Sequence, residues 1–223
     1  MSLGQKIIDT IENHRDRQLK SQLGAVGKFW RDGGNSLLLD MPVTTGSYVI
    51  DGGGYQGEWT SGMITRYGCK SQVFEPVPAF AESCKTCFKH NSLVQIHQVA
   101  LGCADRKIAL NFFENGTSEF RFNASPDQQI DADVVDIARI FDYIAGRVAC
   151  LKLNIEGGEY DVLERMLQTH NVDLCDSLLI QFHRQPEGYE ERYKNIITAL
   201  HKTHIQSWCY EMVWEKWVRK GGE

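Results

Sequence analysis

No apolar run in this chain approaches the length needed to span a bilayer, and the N-terminus lacks the hydrophobic core of a signal peptide. Neither a membrane partner nor a secreted protein is expected. Positive charge is not in excess either. Lys and Arg total 24 against 29 Asp and Glu, a formal net charge of -5. A nucleic-acid backbone is held by a positive field, so the balance speaks against such a partner. Repeats, linkers and low-complexity tracts are absent as well. The 223 residues, 42% hydrophobic and 24% charged, are therefore expected to share one core. The seven cysteines do not form a disulfide framework. Their number is odd and most sit among apolar neighbours, which predicts reduced, buried thiols and a cytoplasmic location.

What the chain does contain is an alternation of short apolar strands and amphipathic helices. Residues 5 to 30 read as a helix with polar breaks outside that alternation, so residues 1–45 are expected to form an N-terminal helical extension or cap. From residue 46 to 223 the pattern is regular. "SYVID", "SQVFE", "LVQIHQVAL", "VACLKLNIE" and "DSLLIQFH" read as strands. Helices follow the first two, with Pro76 and Pro78 delaying the second helix, and "GGEYDVLERMLQTH" and "YEERYKNIITALHKT" follow the last two. Between residues 102 and 133 the order is weaker. "KIALNFFE" reads as a strand, "NGTSEFRFNASPDQQ" as turn and loop, and "VVDIARIFDYI" has helical spacing. "IQSWCYEMVWEKWV" is expected to close the sheet with one or two edge strands. Such alternation means an α/β fold, a mostly parallel sheet with helices on both faces, whose ligands bind beyond the carboxyl ends of the strands.

The glycine corner "VIDGGGYQGEWT" begins at the end of the first strand. Gly52, Gly54 and Gly57 fit a dinucleotide turn, whereas Asp51, Gly53 and Gly57 fit the acid-x-Gly-x-x-x-Gly turn of an S-adenosylmethionine site. Glu75, at the end of the second strand, suits the ribose hydroxyls of either ligand. Three features bear on the choice. Asp51 would repel a pyrophosphate but suit an ammonium. The "QVALG" stretch offers backbone at Ala100 and Leu101 to an adenine edge. Alternation in the fourth strand sets Lys152, Asn154 and Glu156 on one side and Leu151, Leu153 and Ile155 on the other. Polar groups at the tip of a buried strand need a ligand or one another. A mutual Lys152–Glu156 pair with Asn154 capping the loop is the plainer alternative.

Taken together, "VIDGGGYQGEWT", "VFEPVPAF", "VALG", "LKLNIEGGEYDVL" and "LLIQFH" resemble, in order, the FkbM family of S-adenosylmethionine-dependent methyltransferases. The resemblance covers roughly residues 48 to 183. It implies a Rossmann-like class I methyltransferase fold with a seven-stranded sheet, S-adenosylmethionine as cofactor, and O-methylation of a hydroxyl on a saccharide or natural-product acceptor. Two positions depart from the family pattern. Asn154 stands where an aspartate is usual, and Gln181 where a glutamate is usual. The carboxylate that a metal ion or a base would need at position 154 is thus missing, and no metal is expected.

On this reading the donor contacts are Asp51, Gly52, Gly53, Gly57, Glu75, Ala100, Leu101 and Asn154. The candidate base is His183, with Glu156 orienting it or holding acceptor hydroxyls. The Cys84–Cys87 pair falls inside a predicted helix and is expected to be inert, and His201 and His204 are not expected to be ligands. Trp208, Trp214 and Trp217 have the spacing of core or of an oligomer contact rather than of a sugar-stacking surface. A nicotinamide-dependent oxidoreductase and a non-catalytic S-adenosylmethionine binder are the alternatives.

Overall fold

The structure, a computed structural model, describes residues 21–113, 116–118, 129–144 and 146–221. Residues 21–31 are helical (α1), followed by α2 (Gly34–Leu39), β1 (Tyr48–Gly52), α3 (Glu58–Tyr67), β2 (Lys70–Phe74), α4 (Pro78–Cys87) and β3 (Val94–His97). Next come β4 (Ala100–Gly102), β5 (Arg106–Phe113), β6 (Gly116–Ser118), β7 (Gln129–Asp136) and α5 (Ile137–Tyr143). The chain continues as β8 (Val148–Leu153), α6 (Glu159–Gln168), β9 (Ser177–Ile180), α7 (Tyr189–Thr203), β10 (His204–Tyr210) and β11 (Trp214–Arg219).

Seven strands form the main sheet in the order β10–β11–β9–β8–β1–β2–β3, and four form a smaller one, β4–β7–β5–β6. Strands β3, β2, β1, β8 and β9 run parallel, while β11 runs antiparallel to both β9 and β10. The direction of strand addition reverses between β1 and β8. A crevice at the carboxyl ends of these two strands is the expected ligand position.

Alternation along the central strands gives each sheet face its own core. Ile50, Leu151, Leu153, Leu178 and Ile180 pack with Ile137, Tyr160, Leu163, Met166 and Leu200 of the helices α5, α6 and α7. Val49, Cys150 and Leu179 point the other way, against Phe29, Met41, Val43 and Met63. The described part of the N-terminal segment is thus built into the second core. It is also held by hydrogen bonds from Trp59 Nε1 to Leu38 O at 2.9 Å and from Tyr67 Oη to Leu39 O at 2.8 Å. Residues 5–20 of the expected helix lie outside the described residues, as does much of the expected loop after β5. Among the described residues no helix is long and apolar enough to cross a membrane.

Two elements differ from the sequence expectation. "LVQIHQVAL" is two strands, not one, because β3 pairs with β2 in the main sheet while β4 pairs with β7 in the small one. "VVD" is the end of β7 rather than the start of a helix. Val134 and Val135 pair with β4, and Asp136 caps α5 by accepting the Ala138 N–H at 2.9 Å. The two C-terminal strands close the sheet as expected, with β10 at its edge and β11 one place inside. The charges of β11 are satisfied within the sheet. Glu215 is 1% exposed and accepts from Tyr193 Oη at 2.5 Å, Gln206 Nε2 at 3.0 Å and Trp217 Nε1 at 3.1 Å. Lys216 donates to the Asp40 carbonyl. Trp214 and Trp217 are buried with it, as core residues.

Candidate functional site

The register of the central strands decides which side chains meet at the crevice. Asp51 of β1 is aligned with Lys152 of β8, so the two side chains lie on one face as neighbours. Lys152 Nζ donates to Asp51 Oδ1 at 2.9 Å and to the Gly53 carbonyl at 2.6 Å. Asp51 Oδ2 accepts from Thr60 Oγ1 at 2.7 Å. Asp51 is fully buried, and Lys152 only 5% exposed. The Asp51 carboxylate is therefore spent inside the protein, with its charge neutralised. Lys152 pairs with Asp51 rather than with Glu156, so the plainer alternative for the fourth-strand polar residues does not describe them.

The corner itself requires glycine. Gly53 has φ +84, and a Cβ there would lie 2.0 Å from the Asn154 carbonyl oxygen. Gly57 has φ +85 and its Cβ would press on the Phe88 ring at 2.7 Å. The Gly53 N–H donates to the Phe74 carbonyl at 2.9 Å, and the Gly52 carbonyl accepts from the Asn154 N–H at 3.0 Å. These bonds lash the corner to the tips of β2 and β8. Leu101 reaches the same place, its Cδ1 3.2 Å from where a Gly52 Cβ would stand. The Ala100–Leu101 backbone pairs with Val134 and Val135 of β7.

Glu75 lies across the corner, 5% exposed. Its oxygens accept the Tyr55 N–H at 2.8 Å and the Val77 N–H at 2.9 Å. Burial raises its carboxyl above the usual range, against these two N–H bonds. Two donors leave about half of a carboxylate's four acceptor positions for a ligand. Asn154 follows β8 directly, and its Oδ1 is buried without a hydrogen-bond partner among the described residues. A buried acceptor with no donor is costly unless something else supplies one.

On the other side of the crevice, Glu156 and His183 come together as the sequence reading expects, and a third residue joins them. Glu156 is in the left-handed region at φ 53, followed by Gly157 at φ 106. This turn sets the Glu156 carboxylate 3.4 Å from His183 Nε2. Strain at a non-glycine residue in that region is characteristic of functional turns. Glu159, in the first turn of α6, is the residue the sequence reading passed over. It is fully buried and accepts the His183 N–H at 2.7 Å, contacts His183 Nδ1 at 3.1 Å and accepts the Gly157 N–H at 2.9 Å. Its signal was present in "IEGGE", where an acid on the first helical turn after two glycines faces back across the strand tips. Burial would depress the His183 pKa, but the hydrogen bonds and charges of Glu156 and Glu159 outweigh it and push it up to about 10. At neutral pH His183 is an imidazolium clamped between two carboxylates.

Other candidates lie apart. Cys84 is buried in α4 with its thiol on the Tyr55 carbonyl at 3.1 Å, and burial, aided by Asp51 and Glu75, pushes its pKa up to about 12. His204 is buried against the Cys175 carbonyl. Among the described residues no group of three or more His, Cys, Asp or Glu could hold a metal ion. A cleft of about 510 Å³ under α5, lined by Tyr48, Gln72, Gln95, His97, Ile140 and Tyr143 among others, holds none of the expected site residues.

Residues 51–207 match the methyltransferase FkbM domain. The chain belongs to the FkbM methyltransferase family. A relative from the fungus Beauveria bassiana (strain ARSEF 2860), named Methyltransferase 1, is 31% identical over 165 residues, or 63% of this chain. The match spans 66% of that relative's length, just under two thirds. Among solved structures, a candidate rRNA methylase from Clostridium thermocellum superposes with a TM-score of 0.52 at 8% identity. It covers 85% of this chain and 95% of its own. At that identity the likeness concerns the fold alone, which is the class I methyltransferase arrangement. The FkbM match settles what the glycine turn leaves open, and the nicotinamide reading is set aside.

Proposed function

We propose that this FkbM-family chain is an S-adenosylmethionine-dependent O-methyltransferase acting on a hydroxyl of a saccharide or natural-product-like small molecule. The observation that carries the reading is the orphaned Asn154 Oδ1, beside the glycine corner and across from Glu75. An acceptor without a donor and a carboxylate with acceptor capacity to spare fit the ammonium and the ribose hydroxyls of an amino-acid nucleoside. Asp51 serves this site indirectly: with Lys152 it fixes Gly53, and the corner is shaped before any ligand arrives. Leu101, with the Ala100–Leu101 backbone, supplies an apolar wall for the adenine. When bound, S-adenosylmethionine supplies a methyl group made electrophilic by its sulfonium.

The remaining work belongs to the protein's own residues. Alignment of the acceptor oxygen and exclusion of water supply much of the rate in a displacement of this kind. A neutral hydroxyl becomes strongly acidic as its oxygen forms the new bond, so a weak base within reach is enough. His183 is protonated in the resting site, and the base role passes to Glu156. Its carboxylate takes the hydroxyl proton, while His183, held by Glu159, keeps that carboxylate aimed. The sequence-level roles of Glu156 and His183 are thereby exchanged.

Transfer of labelled methyl from the donor into a panel of hydroxylated glycosides and phenols tests this reading. Glu156→Gln is expected to lower kcat by about 10²–10⁴, the usual contribution of a positioned base, with S-adenosylhomocysteine affinity unchanged. Undiminished transfer in that variant would discard the base assignment. Transfer to nitrogen or carbon acceptors only would discard the O-methyl specificity.

A further inference from the structure

Two buried side-chain polar atoms have no hydrogen-bond partner among the described residues, Asn154 Oδ1 and Arg184 Nε. The first is accounted for by the donor. The second lies one residue beyond His183 and takes no part in methyl transfer. Other arginines of this molecule are matched to acids. Arg192 meets Asp161 at 2.6 Å and Glu164 at 2.7 Å, Arg165 meets Asp136 at 2.7 Å, and Arg147 and Arg219 share Asp176. Arg184 has no ion pair among the described residues. Its one hydrogen bond runs from Nη1 to the Tyr189 hydroxyl at 3.2 Å. Glu190, on the same helical turn, acts on that hydroxyl and makes no ion pair with the guanidinium.

The place of Arg184 in the chain gives the observation its meaning. Arg184 directly follows His183 in the segment after β9, and the next residue, Gln185, donates from Nε2 to the Glu156 carbonyl at 2.7 Å. The segment is therefore tied to the loop that carries the proposed base. A hydroxyl reaching Glu156 brings the rest of its molecule against this segment. A permanently charged, planar donor with a buried, unpaired N–H calls for an oxygen ligand, and an oxyanion answers both the hydrogen bond and the charge.

We propose that Arg184 anchors an oxyanion, a carboxylate or phosphate, carried by the methyl acceptor next to the hydroxyl that is methylated. As a statement about the acceptor this rests on the methyltransferase reading above; the oxyanion site itself does not. Acidic acceptors such as uronides or sugar phosphates are then preferred over neutral sugars of the same shape.

Calorimetry on the full chain separates the two claims. S-adenosylhomocysteine is titrated first. Phenyl β-D-glucuronide, phenyl β-D-glucoside and inorganic phosphate are then titrated into wild type, Arg184→Gln and Arg184→Lys. The expected result for wild type is a glucuronide affinity at least about tenfold above that of the glucoside, with measurable phosphate binding. Arg184→Gln is expected to bind both glycosides equally and to lose phosphate, with nucleoside affinity unchanged. Arg184→Lys, which keeps the charge without the fork, retains part of the preference, and serves as the readout should the glutamine variant fail to fold. Equal affinities in wild type, a preference that survives in Arg184→Gln, or no binding of either anionic probe overturns the proposal. Failure of the nucleoside to bind, with the anion preference intact, overturns the methyl-transfer reading and leaves the oxyanion site standing.

Discussion

Lys152 faces Asp51 because β1 and β8 are in register, and the pair is almost dry at 6% and 0% side-chain exposure. Replacing Lys152 with methionine leaves a buried carboxylate without its counter-ion and frees the Gly53 carbonyl. The expected loss is about 3–5 kcal/mol of stability, read from urea unfolding at pH 7. Stability within about 1 kcal/mol of wild type would show that the ion pair does not hold the corner. His183 offers a different check. Its folded pKa, about 10, lies above the usual histidine value of about 6.5, so its charge contributes stability fully below about pH 6.5 and loses it as pH rises toward 10. The stability difference between wild type and His183→Gln should therefore shrink from pH 6 to pH 10. In Glu159→Gln the His183 ring should titrate at lower pH, seen by NMR. A ring that already titrates near 6.5 in wild type contradicts the clamp. Much of this residue-level site was legible. Glu75, Asn154, Glu156 and His183 could be placed from the strand–turn pattern, and they lie just past the carboxyl ends of β2, β8 and β9. The partners of Asp51 could not, since pairing across strands depends on register, which a single chain does not print. Glu159 was hidden because an acid on the first helical turn also serves the helix dipole without any further role.

At the level of elements, α1 is a structural member of the domain rather than an accessory. Phe29 is fully buried, with Tyr210 of β10 edge-on to it at 5.2 Å and Trp30 at 5.0 Å. Phe29→Ala is expected to cost about 3–5 kcal/mol by thermal or urea unfolding, the loss for a large aromatic in a packed core. A cost below about 1 kcal/mol would mean that the N-terminal helix only rests on the sheet. The sequence foretold the strand–helix units wherever an amphipathic helix followed an apolar strand, as in β1–α3, β8–α6 and β9–α7. It failed where that contrast was missing. In "VVDIARIF" the strand residues β-branch into a helix with no polar break, and only Asp136, as cap, marks the joint. "VWEKWV" carries its charges inside the sheet, where Glu215 is surrounded by three donors and Lys216 reaches the Asp40 carbonyl.

For the whole molecule, the fold brings the loops after β1, β2, β8 and β9 to one end of the sheet, at the point where strand order reverses. One side of that crevice is chemically suited to an adenosyl amino acid, through Glu75, Asn154 and the corner set by Asp51 and Lys152. The other side holds Glu156 against the His183–Glu159 pair, and Arg184 follows His183 in the chain. The identity of the acceptor was not legible in the sequence, because on the proposal above it depends on which charges stay unpaired once the chain is folded. The division of labour in the crevice reduces to one measurable claim, that the Glu75 side holds the adenosyl moiety. Calorimetric titration of S-adenosylhomocysteine into wild type and Glu75→Gln, with NAD as control, tests it most directly. The account predicts saturable binding by wild type, about tenfold or more weaker binding by the variant, equivalent to roughly 1.4 kcal/mol, and no heat with NAD. Equal affinity for the two proteins, or binding of NAD in place of the nucleoside, would contradict it.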